Sequence, residues 1–521
     1  MSGRPAGVTD RAVALWLAVA AVTLRAVLPL LVPGAEYDGL FAPLQPDDLA
    51  YRTALREHPV DYLLYNHVLP VLFTGKNALL HNLLPADWIR PAGYGALVAA
   101  DAVATAVAFL LMRQLAVTRP WALLVAVAVS LRLIVWEVRD WGAGWDAFNP
   151  ALVLLFAWTV ARFLRDRSTG TAWVAGLCGG LLIAVFQFGL PVVVAMAGGA
   201  IILLVPRPGL IRLGFCLLAI PGAVTAGIVG KNAAQHGLWS LSSGAGENIF
   251  LNLNMALEDD EGRGALKFGI RHGYPDWWAW CYDEAERRGV HPVRNVAGFY
   301  GACMMTPGGG TDFTALQDWL AAHPDPALAA IVADDVDIAR NRPWLWDGPV
   351  KFRATGTSLA YGQVSQRLLG DILQEFPRNF AGRVYLNLTN HFLWETGHFL
   401  IDRDRATFNE PGLLRVLNRL AAPLFPVGFA AACVFFAAAA VVRVIAWIRP
   451  GPPAAHRDTL FALGALSAAV VAVAIVSAAM ACCENHRHAF CMLPLAMCLG
   501  AAALQQGAAV VRRITLNRGF G

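Results

Sequence analysis

Long apolar runs separated by polar segments dominate the hydrophobic pattern of this chain. A helix needs about 20 apolar residues to cross a bilayer, and ten runs approach that length: 12–32, 92–112, 120–137, 148–164, 171–187, 189–205, 210–229, 421–442, 458–480 and 489–505. The pattern therefore predicts an all-α polytopic membrane protein with about ten transmembrane helices. The first run is too long for a cleavable signal peptide and no small-residue cleavage site follows it, so we expect none.

The arginines predict the orientation of these helices, because short cytoplasmic loops retain Lys and Arg. They fall on alternate connections: Arg4 and Arg11; Arg113 and Arg119; Arg162, Arg165 and Arg167; Arg207 and Arg212; Arg443, Arg449 and Arg457; Arg512, Arg513 and Arg518. Both termini are then cytoplasmic. The predicted outer loops are 33–91, 138–147, 187–189, 230–420 and 481–488, and only Arg139 and Arg487 break the pattern in the short ones.

This topology divides the chain into three parts. Residues 1–229 hold helices one to seven and the outer loop 33–91, residues 230–420 form an extracytoplasmic insertion of mixed structure, and residues 421–521 hold the last three helices with a cytoplasmic C-terminus. Abundant alanine and arginine with only four lysines indicate a high-GC bacterium. We therefore expect a multi-pass protein of the bacterial cytoplasmic (inner) membrane.

Composition supports the membrane assignment. The 521 residues are 57% hydrophobic and 15% charged, whereas soluble domains carry about 25% charged residues. The net charge of +4 comes from topology signals, so we expect no nucleic-acid partner. The nine cysteines show no zinc-type spacing, but Cys281 and Cys303 both fall in the insertion and are candidates for a disulfide.

The first outer loop carries an acidic cluster, Asp47-Asp48-Leu49-Ala50-Tyr51, soon after the first predicted helix. Adjacent carboxylates at a membrane surface can bind a metal, act as a general base or cap a short helix. Farther along, the runs around His58 and Lys76 are apolar with polar interruptions, which is typical of interfacial helices. Lys76 is either a ligand for a lipid phosphate or a snorkelling side chain.

Three more polar clusters are predicted on the same face. Asp146 precedes the fourth helix, and residues 236–248 supply Gly and Ser groups suited to a phosphate or a sugar. Residues 482–490 contain Glu484 and Arg487, but their Cys and His spacing fits no standard zinc site. We assign no metal there, and Arg487 is interpreted as a partner for an anionic group.

Together these clusters resemble the membrane-embedded glycosyltransferases of the GT-C fold, in the branch of protein O-mannosyltransferases and lipid A aminoarabinose transferases. The resemblance rests on Asp47-Asp48-Leu49-Ala50-Tyr51, Asp146, the stretch from His236-Gly237 to Asn248, Glu484-x-x-Arg487-x-x-Phe490-x-x-x-Pro494, and the segment Leu373–Phe380, which is similar to an interfacial helix. Two features depart from the pattern. Asp48 stands where the branch usually has Glu, and residues 250–360 are longer than the resemblance accounts for.

The resemblance implies an inverting transfer of a sugar from a polyprenyl-phosphate carrier to an acceptor hydroxyl of a glycan, a lipid or a protein. The implied general base is Asp47, with Asp48 as its neighbouring alternative. The implied phosphate ligands are Lys76, Arg487 and, as a weaker candidate, His58. The residues implied to orient the site or bind the acceptor are Tyr51, Asp146, His236 and Glu484. No cofactor is required, and a divalent metal stays open.

The insertion is acidic and rich in tryptophan. Residues 232–412 contain 22 Asp and Glu against 15 Lys and Arg, which excludes a polybasic membrane anchor. Its tryptophans, including Trp277, Trp278, Trp344 and Trp346, suit either an interfacial belt or stacking on sugar rings. Because the membrane is adjacent, the belt is favoured.

Two other functions compete with the enzyme. A transporter or lipid flippase would also place polar residues in the membrane, as Arg25 and Arg132 are, but the sequence shows no internal repeat. We interpret Arg25 and Arg132 as paired structural residues or contacts of a lipid phosphate. A non-catalytic subunit of polymer assembly would tolerate the loss of Asp47 and Asp48.

Overall fold

The computed structural model of the chain is built from helices. It describes residues 8–31, 52–53, 55–65, 71–140, 148–186, 188–204, 209–242, 257, 264–288, 312–341, 356–389, 424–448, 455–480 and 485–518. Within these ranges the regular secondary structure is helical and no strand occurs. The described part of the insertion is thus helical, although mixed structure was expected there.

The helices follow the predicted runs closely. In chain order they are α1 (Val8–Leu31), α2 (Pro59–Tyr65), α3 (Val71–Leu83), α4 (Ala86–Gln114), α5 (Arg119–Asp140), α6 (Phe148–Asp166), α7 (Thr169–Val185), α8 (Gly189–Leu204), α9 (Leu210–His236), α10 (Gly264–Arg271), α11 (Asp276–Arg287), α12 (Thr314–Ala322), α13 (Pro326–Asn341), α14 (Gly356–Glu375), α15 (Pro377–Leu386), α16 (Leu424–Ile448), α17 (Ala455–Met480) and α18 (Asn485–Arg518).

The architecture is that of a multi-pass membrane protein. In the described ranges, six helices are long and apolar enough to cross a bilayer: α4, α6, α9, α16, α17 and α18. Apolar segments of α5, α7 and α8 are shorter, and α1 contains Asp10, Arg11 and Arg25. The all-α membrane class is therefore confirmed, whereas the count of ten spans stays a prediction.

Small residues bring the membrane helices close together. A Cβ atom added at Gly176 of α7 would lie 2.8 Å from the carbonyl oxygen of Cys216 on α9, and Gly428 of α16 meets the carbonyl of Ala496 on α18 in the same way. Both glycines face the backbone of another helix. Small residues at such crossings are how membrane helices gain van der Waals contact, because lipid provides no hydrophobic driving force between them.

Polar contacts show which helix ends share a face. Asp10 of α1 pairs with Arg113 of α4 and Arg119 of α5, each at 3.1 Å. Arg167, after α6, pairs with Asp458 of α17. We call this side the arginine-rich face and the opposite side the outward face. The contacts agree with the grouping of arginines that the sequence predicts.

The insertion has a core of its own. Buried side chains of α10 to α14 form it: Phe268, Trp277, Trp278, Cys281, Leu316, Leu328, Val332, Val364 and Ile372. Asp335 of α13 is also buried and accepts hydrogen bonds from Gly356 N at 2.6 Å and Thr357 N at 2.8 Å, where α14 begins. A carboxylate at this position satisfies amides that a helix start leaves unpaired.

Two expected boundaries differ from the structure. The seventh membrane helix was expected to end at residue 229, but α9 continues to His236, where Gly237 ends it with φ at +65°. The segment Leu373–Phe380 was compared to one interfacial helix, yet α14 ends at Glu375 and α15 begins at Pro377. Proline disfavours helical geometry in the residue before it, which explains this break at Phe376.

Candidate functional site

The first outer loop is tied to the bundle at the outward face. Arg52 donates from Nη2 to the carbonyl oxygen of Leu84 at 2.6 Å, and Asn82 donates to the carbonyl of Leu55 at 3.2 Å. Leu55 is fully buried. These contacts fix the residues after the acidic cluster to the junction of α3 and α4. Asp47, Asp48 and Tyr51 themselves lie outside the described residues.

The rest of this loop forms two helices, as expected from its pattern. Helix α2 contacts α3 and α9, and α3 contacts α4 and α7. At the α2 contact, Lys231 Nζ of α9 lies 3.3 Å from the carbonyl oxygen of Leu63, to which it donates. Lys231 is therefore a partly buried cation at the outward end of α9, a position that no sequence motif had indicated.

Of the three candidate phosphate ligands, the side chain of His58 is described, whereas Lys76 and Arg487 are placed only by their helices. His58 Nδ1 lies 3.8 Å from the Asp61 carboxylate one turn along α2, so an acidic side chain already neighbours it. This contact favours a local structural role for His58. Lys76 lies within α3 and Arg487 in the first turn of α18, but the side chains of both are outside the described part.

The stretch after α9 is held by local hydrogen bonds. Asn232 donates to the carbonyls of Ser240 and Leu241 at 2.9 and 3.2 Å, and Leu238 N donates to the Asn232 carbonyl. Gly237 ends the helix, so the helix terminus explains this glycine and no ligand contact is needed. His236 is half-buried in the last turn of α9.

Other candidates fall where the structure gives no description. Asp146 and Glu484 lie outside the described residues, two residues before α6 and one residue before α18 respectively. Residues 243–248 of the Gly and Ser stretch are outside as well. The convergence of Asp47, Asp146, Glu484 and the cations on one site therefore stays a prediction.

A buried ion pair lies inside the membrane domain, where the sequence argument named only one partner. Arg25 of α1 contacts Asp101 of α4 at 2.9 Å and donates to Ser130 Oγ of α5 at 3.1 Å. Arg25 is 0% exposed. Of the two roles expected for Arg25, structural pairing or contact with a lipid phosphate, the structure shows pairing, whereas the Arg132 side chain lies outside the described part. Asp101 could have been noticed as a carboxylate within a predicted span.

The tryptophans of α11 and α12 belong to the core of the insertion or pack against it. Trp277 and Trp278 are 5% and 0% exposed, and Trp280 stacks on Trp319 at a ring distance of 5.5 Å. The expected interfacial belt is wrong for Trp277 and Trp278, because both are packed inside the insertion instead of facing a membrane. Trp344 and Trp346 are outside the described ranges.

Ionic contacts also join the insertion helices. His272 beside α10 pairs with Glu375 of α14, and Tyr274 donates to Asp371 of α14 at 2.8 Å. The Phe268 carbonyl and then Glu375 raise the pKa of His272. Burial, followed by the contact with Asp371, raises the pKa of Tyr274. At the end of α11, hydrogen bonds from Arg287 and from Arg288, the residue after the helix, lower the pKa of Glu284, although burial opposes them.

Cysteine and metal chemistry are resolved in part. Cys281 is disulfide-bonded, and its partner is outside the described residues, so the pairing with Cys303 stays a prediction. Among the described side chains, no group of three or more His, Cys, Asp or Glu could hold a metal ion. Asp47 and Asp48 were not part of that set.

Comparisons with known proteins give one remote similarity. No protein-family model matches the chain, and no curated protein matches it. Its structure is similar to that of the archaeal oligosaccharyltransferase AglB from Archaeoglobus fulgidus, solved in complex with an inhibitory peptide and a dolichol-phosphate. Identity is 14% and the TM-score 0.39, over 97% of this chain and 51% of that one. This chain thus spans about half that protein's length, and the GT-C fold stays an expectation.

Proposed function

We propose that this chain is an inverting membrane glycosyltransferase. It moves a sugar from a polyprenyl-phosphate donor to an acceptor hydroxyl of a glycan, a lipid or a protein at the extracytoplasmic side of a bacterial cytoplasmic membrane. Both termini are then cytoplasmic. The same topology disfavours a nucleotide-sugar donor, because such donors are cytoplasmic whereas the polar clusters are predicted to face outward.

The observation that carries the proposal is the attachment of the first outer loop. Arg52 follows the acidic cluster directly and is bonded to the Leu84 carbonyl, while α2 and α3 pack on the outward ends of membrane helices. A loop held in this way can present carboxylates at a constant depth to a substrate arriving from the bilayer. Catalytic groups need such fixed supports.

The disulfide of Cys281 supports the orientation. Disulfides persist in oxidising compartments and are rare in the cytosol. Because Cys281 lies in the insertion, its disulfide supports an extracytoplasmic position for that part of the chain, as the arginine distribution also predicts.

The reaction assigns a role to each charged group. Asp47 takes the proton of the acceptor hydroxyl as its oxygen attacks the anomeric carbon, with Asp48 as the alternative base. A positioned base contributes about 10²–10⁴-fold to the rate. The bond between the anomeric carbon and the phosphate oxygen breaks, and Lys76 and Arg487 stabilise the leaving phosphate. Tyr51, Asp146, His236 and Glu484 orient the substrates, and a divalent ion at the acidic pair is an alternative to purely cationic stabilisation.

A transporter or lipid flippase is the competing function. Arg25 and Arg132 were the sequence features that favoured it, and the structure pairs Arg25 with Asp101 and buries both. This pair accounts for the charge of Arg25 without a transport path, whereas the Arg132 side chain lies outside the described part.

The test uses the purified full-length protein in phospholipid nanodiscs with a panel of radiolabelled polyprenyl-phosphate sugars. We expect release of the lipid phosphate, with transfer or hydrolysis of the sugar, for at least one donor. Failure with every donor, together with movement of labelled lipid across sealed vesicles containing the protein, would contradict the proposal and support the flippase.

A further inference from the structure

We infer that Arg25, Asp101 and Ser130 form a positioning node that fixes the outward halves of α1, α4 and α5. The role follows from the contacts these residues make across three helices. The inference rests on the proposed function, because we infer that the node positions the outer loops, and these loops carry the candidate catalytic carboxylates.

The guanidinium of Arg25 donates hydrogen bonds from all three of its nitrogen atoms. Nε donates to Asp101 Oδ2 at 2.9 Å, Nη1 to Ser130 Oγ at 3.1 Å, and Nη2 to the Ser130 carbonyl at 3.1 Å. Tyr94 of α4 also donates to the Arg25 carbonyl at 3.0 Å. A planar group with fixed donor directions sets both the rotation and the height of its partners, which a lysine could not do.

The node lies deep in the membrane domain. Arg25 stands fifteen residues beyond Asp10 on α1, or about 22 Å of helix rise. Asp101 lies twelve residues before Arg113 on α4, or about 18 Å. In a hydrocarbon layer about 30 Å thick, these depths put the node beyond the midplane, toward the outward face.

The same three helices are already joined at the arginine-rich face. Asp10 of α1 pairs there with Arg113 of α4 and Arg119 of α5. A second tie is therefore not needed merely to keep these helices together. Replacing a buried ion pair by apolar groups is often neutral or stabilising, so stability alone does not account for such a pair, and we attribute to this one the geometry of the three helices.

Two of the helices that the node joins are followed in sequence by acidic segments. Helix α1 ends six residues after Arg25 and sixteen residues before Asp47, and α5 ends at Asp140, six residues before Asp146. A change in rotation at the node would displace the ends of α1 and α5, from which both segments start. Displacement of a reacting group by about 1 Å can cost on the order of 100-fold in rate.

The experiment compares the double variant Arg25→Met/Asp101→Leu with Asp10→Asn, which weakens the tie at the arginine-rich face. Both proteins are studied full-length in nanodiscs by hydrogen exchange and by transfer from the donor that the wild type uses. We expect the double variant to remain folded, with faster exchange in residues 26–31 and 131–140. We expect its kcat to fall at least about tenfold with KM for the donor unchanged. Asp10→Asn should change neither the exchange rate of these outward residues nor kcat.

Each outcome decides the inference. Wild-type exchange at the outward ends, or increased exchange with wild-type kcat, contradicts it. If the double variant does not fold, Ser130→Ala keeps the ion pair and removes one contact. It should then show faster exchange at residues 131–140 and a smaller loss of kcat, and unchanged values would contradict the inference. If the wild type transfers no sugar at all, the proposed function fails, while the exchange data still decide whether the node fixes the helix ends.

Discussion

The membrane bundle and the insertion are held together by different contacts. In the bundle, alanines and glycines let helices approach closely, and the Arg25 node is a described ion pair at depth. In the insertion, large aromatic rings such as Trp278 fill the core, and ionic pairs such as His272 with Glu375 lie near the surface. The difference is explained by the surroundings of each region. In water, the hydrophobic effect makes the burial of large apolar side chains favourable, whereas in lipid the favourable free energy comes from close van der Waals contact between helices.

The largest effect is expected from an unpaired charge in the bundle. Asp101→Leu leaves Arg25 buried without its carboxylate, and breaking a buried pair on one side costs about 3–5 kcal/mol. We expect a large drop in the thermal stability of the protein in detergent. Asp10→Asn is the matched control, because Arg113 and Arg119 are 28% and 44% exposed and can reach water. Equal losses in the two variants would show that burial does not distinguish the two ties.

A comparable loss is expected in the insertion, but confined to it. Trp278→Ala removes a fully buried ring from a core, which costs about 3–5 kcal/mol. We expect proteolysis to begin within α10 to α14 while the membrane helices keep wild-type protection. Exposed Trp239→Ala is the control. Wild-type resistance of Trp278→Ala would mean that the ring does not support this core.

A smaller loss should follow from one added methyl group in the bundle. Gly428→Ala places a Cβ against the backbone carbonyl of Ala496, and overpacking of this kind costs about 1–3 kcal/mol. Gly222→Ala on α9 is the control, because open space surrounds that position. We expect a lower melting temperature for Gly428→Ala alone. A melting temperature equal to that of the control would contradict the close approach of α16 and α18.

The smallest effect concerns pH and belongs to the insertion. The pKa of His272 is raised, chiefly by the Phe268 carbonyl and then by Glu375. Its contribution to stability is therefore complete below the unfolded pKa of about 6.5 and is lost as pH rises through the folded value. Pulse proteolysis should show wild type more stable than His272→Gln near pH 6, and equally stable near pH 9. A difference that does not depend on pH would exclude titration of His272 as its cause.

The sequence predicted the membrane helices well, because an apolar run is a local property of the chain. It could not pair Arg25 with Asp101. These residues are 76 positions apart in sequence, and their contact depends on how α1 and α4 are rotated about their axes. Nor could it place Trp278, which is buried in one cluster with residues distant in sequence, such as Ile372 of α14. The predicted topology, which puts the insertion beside the membrane, favoured an interfacial belt for its tryptophans instead. The acidic cluster was found as a motif, and the structure describes only the attachment of its neighbours.

The most direct test of the proposed reaction is the rate of sugar transfer in Asp47→Asn and Asp48→Asn, measured on purified protein with the donor that the wild type accepts. Asp87→Asn is the control, an exposed carboxylate in the first turn of α4 on the same face. We expect the base variant, Asp47→Asn, to lose about 10²–10⁴-fold in kcat, with normal insertion in the membrane and a control at the wild-type rate. A large loss in Asp48→Asn alone would move the base to Asp48. Full activity in both would contradict an acidic base in this loop.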